Sequence, residues 1–368
     1  MTLRQRIAAE IARTGPIPFS RYMEACLYDP EFGYYTRHAG QFGKSGDFYT
    51  SSDVHAVFGR LLARQFDEMW RALGEPARLR LIELGPGRGL FAQDVLDWSE
   101  KKFPAFFAAI EYLCVERSPA LRTRIAGTLA RHAAAGKLAI QPSLPEDLDA
   151  PAIVFANEFF DALPVDVVTG RGQLFVAAER DFFLETFAPP TPEVLEFLDR
   201  YAVHPDAGER VESCLGANKV MTELAAGLRQ AFVVVVDYGY TRAEQLGGRH
   251  RGTVTAFRQH ALSPSPYDAP GEQDITADVN FTALQAAGAQ GGLRTLGLVT
   301  QAQFLMGIGE ANQFADAFED CGSRQEQAKV ALQLKHLVTP AGMGESFHAL
   351  IMAKGVEAGA LSGLKFAG

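Results

Sequence analysis

The sequence predicts an α/β fold built on a mostly parallel sheet with helices on both faces. Short runs at 79–85, 110–116 and 151–158 are apolar almost throughout, which is typical of strands buried on both faces of a parallel sheet. Stretches of helical periodicity lie between these runs, as the alternation of strands and helices in such folds requires. The chain has 368 residues, of which 47% are hydrophobic, so it can form a large core.

Charge and cysteine usage narrow the class of protein. The formal net charge of −9 disfavours binding to nucleic acid or anionic lipid over the whole chain. The four cysteines are far apart and form no CxxC pair, so we expect reduced thiols and no metal site. No apolar run reaches the length of a membrane span, and the N-terminus lacks the apolar region of a signal peptide. We therefore expect a soluble cytoplasmic protein.

The first segment, 1–75, is predicted to be mostly helical. Residues 1–15 have the pattern of an amphipathic helix, and 53–73 have the pattern of another. Between them, 29–52 contains too many glycines and aromatics for a helix and is predicted to be an ordered loop. This segment carries a candidate lid over a bound ligand.

The next segment, 76–163, is predicted to form the first half of the sheet. Its strands are expected in the three apolar runs above and at 138–141, with helices at 90–102 and 119–136. The segment 164–230 breaks the alternation: antiparallel strands are predicted around the turn "TGRGQ", and helical sequence follows to about Arg229.

The sheet is predicted to resume in 231–356. "FVVVVDYG" is the most strand-like run of the chain, and it is followed by a Pro- and Gly-rich loop, a helix at 277–290 and a strand at 293–300. A long helical stretch and the terminal strand "HALIMAKG" complete this half. The remaining residues, 357–368, are predicted to be a loose tail.

A glycine loop follows the first strand of the predicted sheet. Gly85, Gly87 and Gly89 would let backbone N–H groups approach a ligand at the carboxyl end of the strand, although a tight strand-to-helix turn is the alternative. The spacing is GxGxG rather than GxGxxG, and Glu83 stands before it, so a dinucleotide pyrophosphate is disfavoured. Glu116 ends the second strand, where an acid can bind both hydroxyls of a ribose. The combination favours S-adenosylmethionine, which has an amino group, a sulfonium and no phosphate.

Several blocks of the sequence resemble one family. "GPIPFSRYMEACLYDPEFGYY", "IELGPGRG", "ANEFFDALPVDV" and "PGEQDITADVNF" occur in the order found in the MidA family of class I methyltransferases, and the resemblance extends from about 7 to 351. This family includes a mitochondrial complex I assembly factor that acts as a protein arginine methyltransferase. The resemblance implies a Rossmann-like seven-stranded methyltransferase sheet whose last strand, "HALIMAKG", is reversed. It also implies that 164–230 is an inserted substrate-side module.

The sequence departs from the family at four substrate-side positions. Ser52 and Asp53 follow "GDFYTS" where the family tends to have Pro-Glu. At Asp278 the family usually has a His, and where Asn280 stands it has an Asp. Substrate contacts at these positions are therefore uncertain, whereas the cofactor motif is unchanged.

The block after the fourth strand is the candidate catalytic group. Methyl transfer is a direct displacement, so the enzyme chiefly has to hold a lone pair in line behind the methyl group. Carboxylates can fix a guanidinium through bidentate hydrogen bonds. Our hypothesis is that Glu158, helped by Asp161 and with Asn157 beside it, orients a substrate guanidinium. The alternative is that Asn157 and Asp161 are local caps and Glu158 is solvated.

The block "GKSGDFYTS" is the candidate lid. Gly46 gives it freedom to bend, Asp47 could bind the amino group of the cofactor, and Thr50 and Ser51 could hydrogen-bond its carboxylate. The alternative is the capped start of a helix. Elsewhere, Asp237 either lines the substrate mouth or forms a turn.

Two histidines, His260 and His348, are predicted to be structural. No Ser-His-Asp or metal constellation is visible, so the sequence gives no support to hydrolysis.

The predicted function is therefore methylation of an arginine on a partner protein, such as a respiratory complex I subunit, with S-adenosylmethionine as cofactor. One alternative is a methyltransferase acting on a small-molecule hydroxyl or carboxyl. The other is a binding or assembly factor that keeps the fold without its chemistry. A nicotinamide-dependent dehydrogenase is disfavoured by the glycine loop, and a homodimer is compatible with the sequence.

Overall fold

The computed structural model describes residues 1–37, 56–145, 147–180, 182–259, 261–357 and 359–367. Over these residues the strands, in chain order, are β1 (Ile17–Pro18), β2 (Leu79–Leu84), β3 (Ile110–Val115), β4 (Leu138–Gln141), β5 (Ala152–Asn157), β6 (Asp166–Thr169), β7 (Gly172–Glu179), β8 (Phe182–Ala188), β9 (Arg210–Ser213), β10 (Ala231–Tyr240), β11 (Thr255–Arg258), β12 (Ala261–Leu262), β13 (Asp274–Thr276), β14 (Val279–Asn280), β15 (Arg294–Thr300) and β16 (Phe347–Lys354).

The helices over the same residues are α1 (Leu3–Thr14), α2 (Phe19–Tyr28), α3 (Tyr34–Arg37), α4 (Ala56–Ala72), α5 (Leu90–Lys102), α6 (Pro104–Ala109), α7 (Pro119–Thr128), α8 (Ala130–Ala134), α9 (Pro192–Tyr201), α10 (Leu215–Gly227), α11 (Arg242–Leu246), α12 (Phe281–Gln290), α13 (Gln301–Glu310), α14 (Ala315–Phe318) and α15 (Arg324–Val338). A 3₁₀ turn follows at Ser362–Leu364.

The chain divides into two units, each assembled from separate stretches of sequence. The sheet unit comprises Tyr49–Phe159, Glu223–Tyr238 and Gly288–Gly368. The hairpin unit, named after its β7–β8 hairpin, comprises Met1–Phe48, Phe160–Thr222 and Gly239–Ala287. This grouping differs from the contiguous segments drawn from the sequence, and the functional roles given to those segments stay predictions.

The sheet unit contains the predicted parallel sheet with a reversed strand. Its strand order is β15-β16-β10-β5-β2-β3-β4. Neighbouring strands from β10 to β4 are parallel, whereas β16 is antiparallel to both β10 and β15. The predicted fold class is confirmed, including "HALIMAKG" as the reversed strand.

The core of the sheet unit explains why these runs fold as strands. β10 carries four consecutive valines, Val233–Val236, which are at most 1% exposed, and β-branched residues suit a strand packed on both faces. On one face, side chains from α4, α5 and α13 pack against the sheet. Phe91 of α5 and Phe155 of β5 stack there with ring centroids 4.4 Å apart.

The hairpin unit is antiparallel, as the "TGRGQ" turn predicts. β7 pairs antiparallel with β6 and β8, and also with the two-residue strand β1. Strand β9, which pairs with β6, lies in the stretch that the sequence predicts to be helical, so that prediction is wrong for Arg210–Ser213. β9 has only four residues and mixes the exposed Arg210 with the buried Val211 and Glu212, so its alternation is too short to register as a strand.

The prediction of a loose tail is wrong for 359–367. The N–H of Ser362 donates to Glu68 (3.0 Å), and the N–H of Gly363 donates to Gln65 (2.8 Å), both on α4. Leu361 is buried at 5% exposure. The tail is held in place by the buried side chain of Leu361 and by two backbone N–H groups that donate to α4. The Gly- and Ala-rich composition of the tail gives no sign of these contacts.

Candidate cofactor and acceptor site

The glycine loop joins β2 to α5, and its backbone conformation favours glycine at all three positions. Gly85, Gly87 and Gly89 have φ values of 63°, 54° and 76°, in the left-handed region that other residues rarely adopt. A Cβ on Gly85 would lie 2.9 Å from the ring of Phe159, and one on Gly89 would lie 3.3 Å from Ile125. A Cβ on Gly87 would meet nothing within 4 Å. The outer glycines therefore pack against the protein, and the middle one faces open space where a ligand can approach.

Glu83 is a buried acid at the carboxyl end of β2. Its side chain is 4% exposed and accepts a hydrogen bond from the hydroxyl of Tyr112 on β3, at 2.7 Å. Burial raises the pKa of Glu83 to about 8, and the hydrogen bond from Tyr112 opposes this rise only partly. A cationic ligand would restore the charged form of this carboxyl group.

Glu116 occupies the turn directly after β3. The N–H of Ser118 donates to its Oε1 at 2.7 Å, and burial raises the pKa of Glu116 to about 7. Arg122 fixes the same turn, because its Nη1 donates to the carbonyls of Glu116 (2.9 Å) and Arg117 (2.7 Å). The N–H of Gly85 donates to the carbonyl of Val115, so the glycine loop and this turn adjoin.

These groups fit S-adenosylmethionine. An open backbone cradle at Gly87 lies beside the buried Glu83 and the half-buried Glu116, and a ligand with an amino group and a ribose matches them. Among the described residues, no cluster of three or more His, Cys, Asp or Glu side chains could hold a metal ion. The bare loop, the acid before it and the acid after the next strand are the features singled out from the sequence.

Glu158 has an unusual backbone conformation at the end of β5. Its φ is 48°, which is uncommon for a residue other than glycine, and its N–H donates to the carbonyl of Val236 on β10 at 3.0 Å. Asn157 Nδ2 donates to Glu158 Oε1 at 3.1 Å. Among the described residues, the buried Oδ1 of Asn157 has no hydrogen-bond partner. Strained residues of this kind are concentrated at functional sites.

Asp161, the third predicted catalytic residue, belongs to the hairpin unit, whereas Glu158 belongs to the sheet unit. Asp161 is 4% exposed, and its backbone carbonyl accepts from the N–H of Ala277 at 3.0 Å. In the same unit, Tyr35 donates to Asp274 at 2.9 Å. Burial and then the negative charges of Asp274 and Asp161 raise the pKa of Tyr35 well above its usual value.

The candidate lid falls outside the described residues. This concerns the residues Gly46, Asp47, Thr50, Ser51, Ser52 and Asp53, and also His260.

The other two departures from the family pattern, Asp278 and Asn280, have structural partners in the hairpin unit. Asp278 Oδ2 lies 2.8 Å from His250 Nδ1, and the N–H of Asp278 donates to Thr253 Oγ1 at 3.1 Å. Asn280 accepts from the N–H of Ala283 at 3.0 Å at the start of α12 and donates to the carbonyl of Tyr201 at 2.9 Å. Both side chains hold local structure here.

Sequence reasoning missed Tyr112 as the partner of Glu83. The available signal was a tyrosine inside an otherwise apolar strand, because a buried hydroxyl needs a hydrogen-bond partner. It also treated Asp237 and His348 separately, whereas β10 and β16 place them directly opposite each other. That pairing depends on the strand order, which the sequence does not display.

Comparisons with known proteins agree with the predicted family and cofactor. Residues 61–299 match a family described as S-adenosyl-L-methionine-dependent methyltransferases. A mitochondrial protein arginine methyltransferase homologue of Drosophila melanogaster is 32% identical, over 97% of this chain and 86% of its own. The mitochondrial protein arginine methyltransferase of Rattus norvegicus is 30% identical, over 92% of this chain and 81% of its own.

A solved structure extends the agreement to the fold. A crystal structure of a Burkholderia thailandensis protein bound to S-adenosyl-homocysteine superposes with a TM-score of 0.85 at 29% identity, covering 99% of this chain and 95% of that one. The prediction of S-adenosylmethionine as cofactor is confirmed by the family match and by this neighbour.

One prediction about location needs correction. The relatives are named as mitochondrial proteins, which contradicts the predicted cytoplasmic location. That prediction rested on the absence of a leader pattern, a weak argument because the same folded enzyme can work in different compartments. Within the part of the chain that the structure describes, no helix has the length and apolarity to cross a membrane.

The glycine loop with its two acids, the sheet with its reversed strand and the match over 61–299 agree with one another. The chain belongs to the MidA family of class I methyltransferases and is an S-adenosylmethionine-dependent enzyme.

Proposed function

We propose that this enzyme transfers its methyl group to an arginine of a partner protein. The observation that carries the proposal is Glu158, an acid held in a left-handed conformation at the carboxyl edge of the sheet. It follows β5, which lies one strand from Glu83 on β2 and two strands from Glu116 after β3. A carboxylate at this edge suits a cationic acceptor. The names of the relatives, protein arginine methyltransferases, support the same acceptor class.

The cofactor supplies an electrophilic methyl group when it is bound. The residues of this chain then have to bind the cofactor and align the acceptor. Glu83 would stabilise the positive charge of the cofactor, Glu116 would bind its ribose hydroxyls, and the backbone at Gly87 would allow close approach. Correct alignment of the two reacting groups is the main catalytic contribution in such a displacement.

Glu158 orients the acceptor guanidinium. A guanidinium is charged and delocalised, so a bidentate carboxylate both fixes its plane and draws positive charge away from the attacking nitrogen. Asn157 limits the rotation of Glu158 by donating to its Oε1. The sequence-based hypothesis that Asp161 helps Glu158 stays a proposal.

Three finer points are part of the same proposal and rest on the family resemblance or on sequence alone. The acceptor is proposed to be a subunit of respiratory complex I, and the enzyme is proposed to act as a homodimer. Gly46, Asp47, Thr50 and Ser51 are proposed to close over the cofactor.

The test uses the purified protein, methyl-labelled S-adenosylmethionine and an extract of cells that lack the enzyme. Label recovered as methylarginine on a protein band is the expected result. Label only in small molecules would move the assignment to a small-molecule methyltransferase. No label, with cofactor still bound, would favour a non-catalytic assembly factor.

A matched pair of variants tests the role of Glu158. Glu158→Gln is expected to lower methylarginine formation about 100-fold or more while S-adenosyl-homocysteine binds as before, since one directed hydrogen-bonding group is worth roughly this factor. Glu75→Gln is the control, because Glu75 is also a glutamate of the sheet unit with a left-handed φ, 54°, and it is exposed. Full turnover by Glu158→Gln would refute the role.

A further inference from the structure

A row of polar residues crosses the carboxyl edge of the sheet beside Glu158. In the antiparallel pairing of β10 with β16, Asp237 lies opposite His348. In the pairing of β16 with β15, His348 lies opposite Thr300. The hydrogen bond from the N–H of Glu158 to Val236 continues the β5–β10 ladder by one residue, which sets Glu158 beside Asp237.

The register brings Asp237 and His348 within reach of each other. Side chains directly opposite in an antiparallel pair point to the same face, with Cβ atoms about 4.5–5.5 Å apart, a spacing that a carboxylate and an imidazole can bridge. Asp237 is completely buried, and its Oδ1 accepts from the N–H of Tyr238 at 3.0 Å. A buried carboxylate is stabilised by a further polar or cationic neighbour, and His348 is placed to be one.

Methylation of a guanidinium requires a group that accepts a proton, and an imidazole paired with a carboxylate can serve. A guanidinium that gains a methyl group must lose one N–H proton, or the nitrogen would carry an excess proton. Glu158 is proposed to hold the guanidinium through its charged form, so it is poorly suited to take that proton. A neutral imidazole nearby can accept it, and a carboxylate behind the imidazole stabilises the resulting cation.

We infer that His348 is the catalytic proton acceptor of the methyl transfer and that Asp237 positions it. This inference rests on the proposed arginine acceptor. The guanidinium nitrogen forms a bond to the methyl carbon, and the carbon–sulfur bond breaks with its electron pair remaining on sulfur. The N–H proton passes to a ring nitrogen of His348, and the carboxylate of Asp237 stabilises the imidazolium.

The charged groups around His348 set the expected dependence on pH. Asp237 faces it from β10, Glu158 follows β5 one strand further, and Thr300 of β15 is uncharged. Because a protonated imidazole cannot accept a proton, the rate of transfer falls at low pH. Removing the charge of Asp237 moves the midpoint of the imidazole titration to lower pH by about one pH unit.

The test compares His348→Gln with His250→Gln. His250 is the matched control because it also pairs with an aspartate, Asp278, but in the hairpin unit. Single-turnover rates are measured from pH 6 to 9 with the acceptor protein labelled by the wild type, together with S-adenosyl-homocysteine binding. S-adenosylmethionine is kept saturating at every pH, because cofactor affinity is itself expected to change over this range through Glu83 and Glu116. His348→Gln is expected to slow transfer about 100-fold, to lose the fall at low pH and to bind S-adenosyl-homocysteine as before, whereas His250→Gln keeps the wild-type profile.

A second measurement does not depend on turnover or on a variant of His348 that might misfold. The imidazole of His348 is titrated by NMR in the wild type and in Asp237→Asn, both bound to S-adenosyl-homocysteine. An unchanged midpoint, or a His348→Gln variant with the wild-type rate and pH profile, would overturn the inference. Methyl label found on an acceptor other than arginine, with the Asp237-dependent titration intact, would overturn the proposed acceptor and leave the pair in place.

Discussion

Buried acids occur in both units, and their surroundings differ. In the hairpin unit, Glu212 accepts a hydrogen bond on each oxygen, from the N–H of Thr253 (3.0 Å) and from its hydroxyl (3.2 Å). In the sheet unit, Glu83 accepts from Tyr112 alone among the described residues. Burial raises the pKa of both acids.

The comparison teaches that a raised pKa does not by itself identify a ligand site. Glu212 lies within a strand, β9, and is satisfied by its own unit, so it stabilises local structure. Glu83 lies at the carboxyl end of a strand, next to a loop whose backbone is kept bare at Gly87. Position at the strand edge and incomplete compensation by hydrogen bonds together favour Glu83 over Glu212 as a candidate ligand-binding acid.

The largest expected effect comes from Gly87→Val. A β-branched side chain is strongly disfavoured at a φ of 54°, and it would also fill the open side of the loop. We expect S-adenosyl-homocysteine to bind more than about 100-fold more weakly by calorimetry, because both the backbone and the space are lost. Gly136→Val is the control: Gly136 has a φ of 71° and also meets nothing within 4 Å. Equal affinities in the two variants would show that the loop does not bind the cofactor.

The next prediction concerns the pH dependence of cofactor affinity. Because burial raises the pKa of Glu83 to about 8 and that of Glu116 to about 7, the affinity of the wild type for a cationic cofactor is expected to rise from pH 6 to pH 9. Glu83→Gln is expected to bind about tenfold more weakly at pH 9 and to lose the part of the rise near pH 8. Calorimetry at several pH values measures this. A variant with the wild-type profile would exclude Glu83 from the cofactor site.

The raised pKa of Glu83 also makes the free energy of unfolding depend on pH, and it lowers stability as the pH rises. Between its ordinary value of 4.5 and about 8, Glu83 holds a proton in the folded protein that the unfolded chain has released. Its contribution therefore stabilises the fold at low pH and is lost as pH rises, by at most about 1.4 kcal/mol per pH unit. Denaturant unfolding of Glu83→Gln should show a correspondingly shallower loss of stability across this window.

A smaller effect is expected for Tyr112→Phe. The hydrogen bond from Tyr112 favours the charged form of Glu83, so its loss raises the pKa of Glu83 further and should weaken cofactor binding about three- to tenfold at pH 7. Tyr22→Phe is the control, since the buried Tyr22 of the hairpin unit donates to the carbonyl of Pro266 at 2.9 Å. Each variant should lose about 1 kcal/mol of stability, but only the first should lose affinity. Equal cofactor affinities in the two variants would show that Tyr112 does not contribute to cofactor binding.

Features that depend only on neighbouring residues could be predicted from the sequence. The three glycines could be assigned because each occupies a backbone conformation that few other residues tolerate, and the strands of the sheet unit could be assigned from continuous apolar runs. The reversed direction of β16 was predicted from the family resemblance, because the residues of a strand do not indicate its direction in a sheet.

Features that depend on distant pairing could not be predicted. The contact of Tyr112 with Glu83 and the pairing of His348 opposite Asp237 follow from strand order and register, and the fixed tail depends on Gln65 and Glu68 of α4. Glu158 has its left-handed φ where its N–H donates to Val236 of β10, a partner far away in the sequence. Each is decided by tertiary structure, which overrides local propensity.

The last prediction concerns the hairpin unit, where we expect a substitution to lower stability without changing cofactor binding. Thr253→Val removes the hydroxyl that serves both Glu212 and the N–H of Asp278, so a buried acid loses a partner, and the free energy of unfolding should fall by about 1.5–3 kcal/mol. Thr255→Val is the matched control, because its hydroxyl contacts only the hydroxyl of Thr276 among the described residues, and we expect a loss of about 0.5–1.5 kcal/mol. S-adenosyl-homocysteine affinity should be unchanged in both. Weaker binding in Thr253→Val would mean that the compensated acids of the hairpin unit also support the cofactor, and the contrast between the two groups of buried acids would no longer hold.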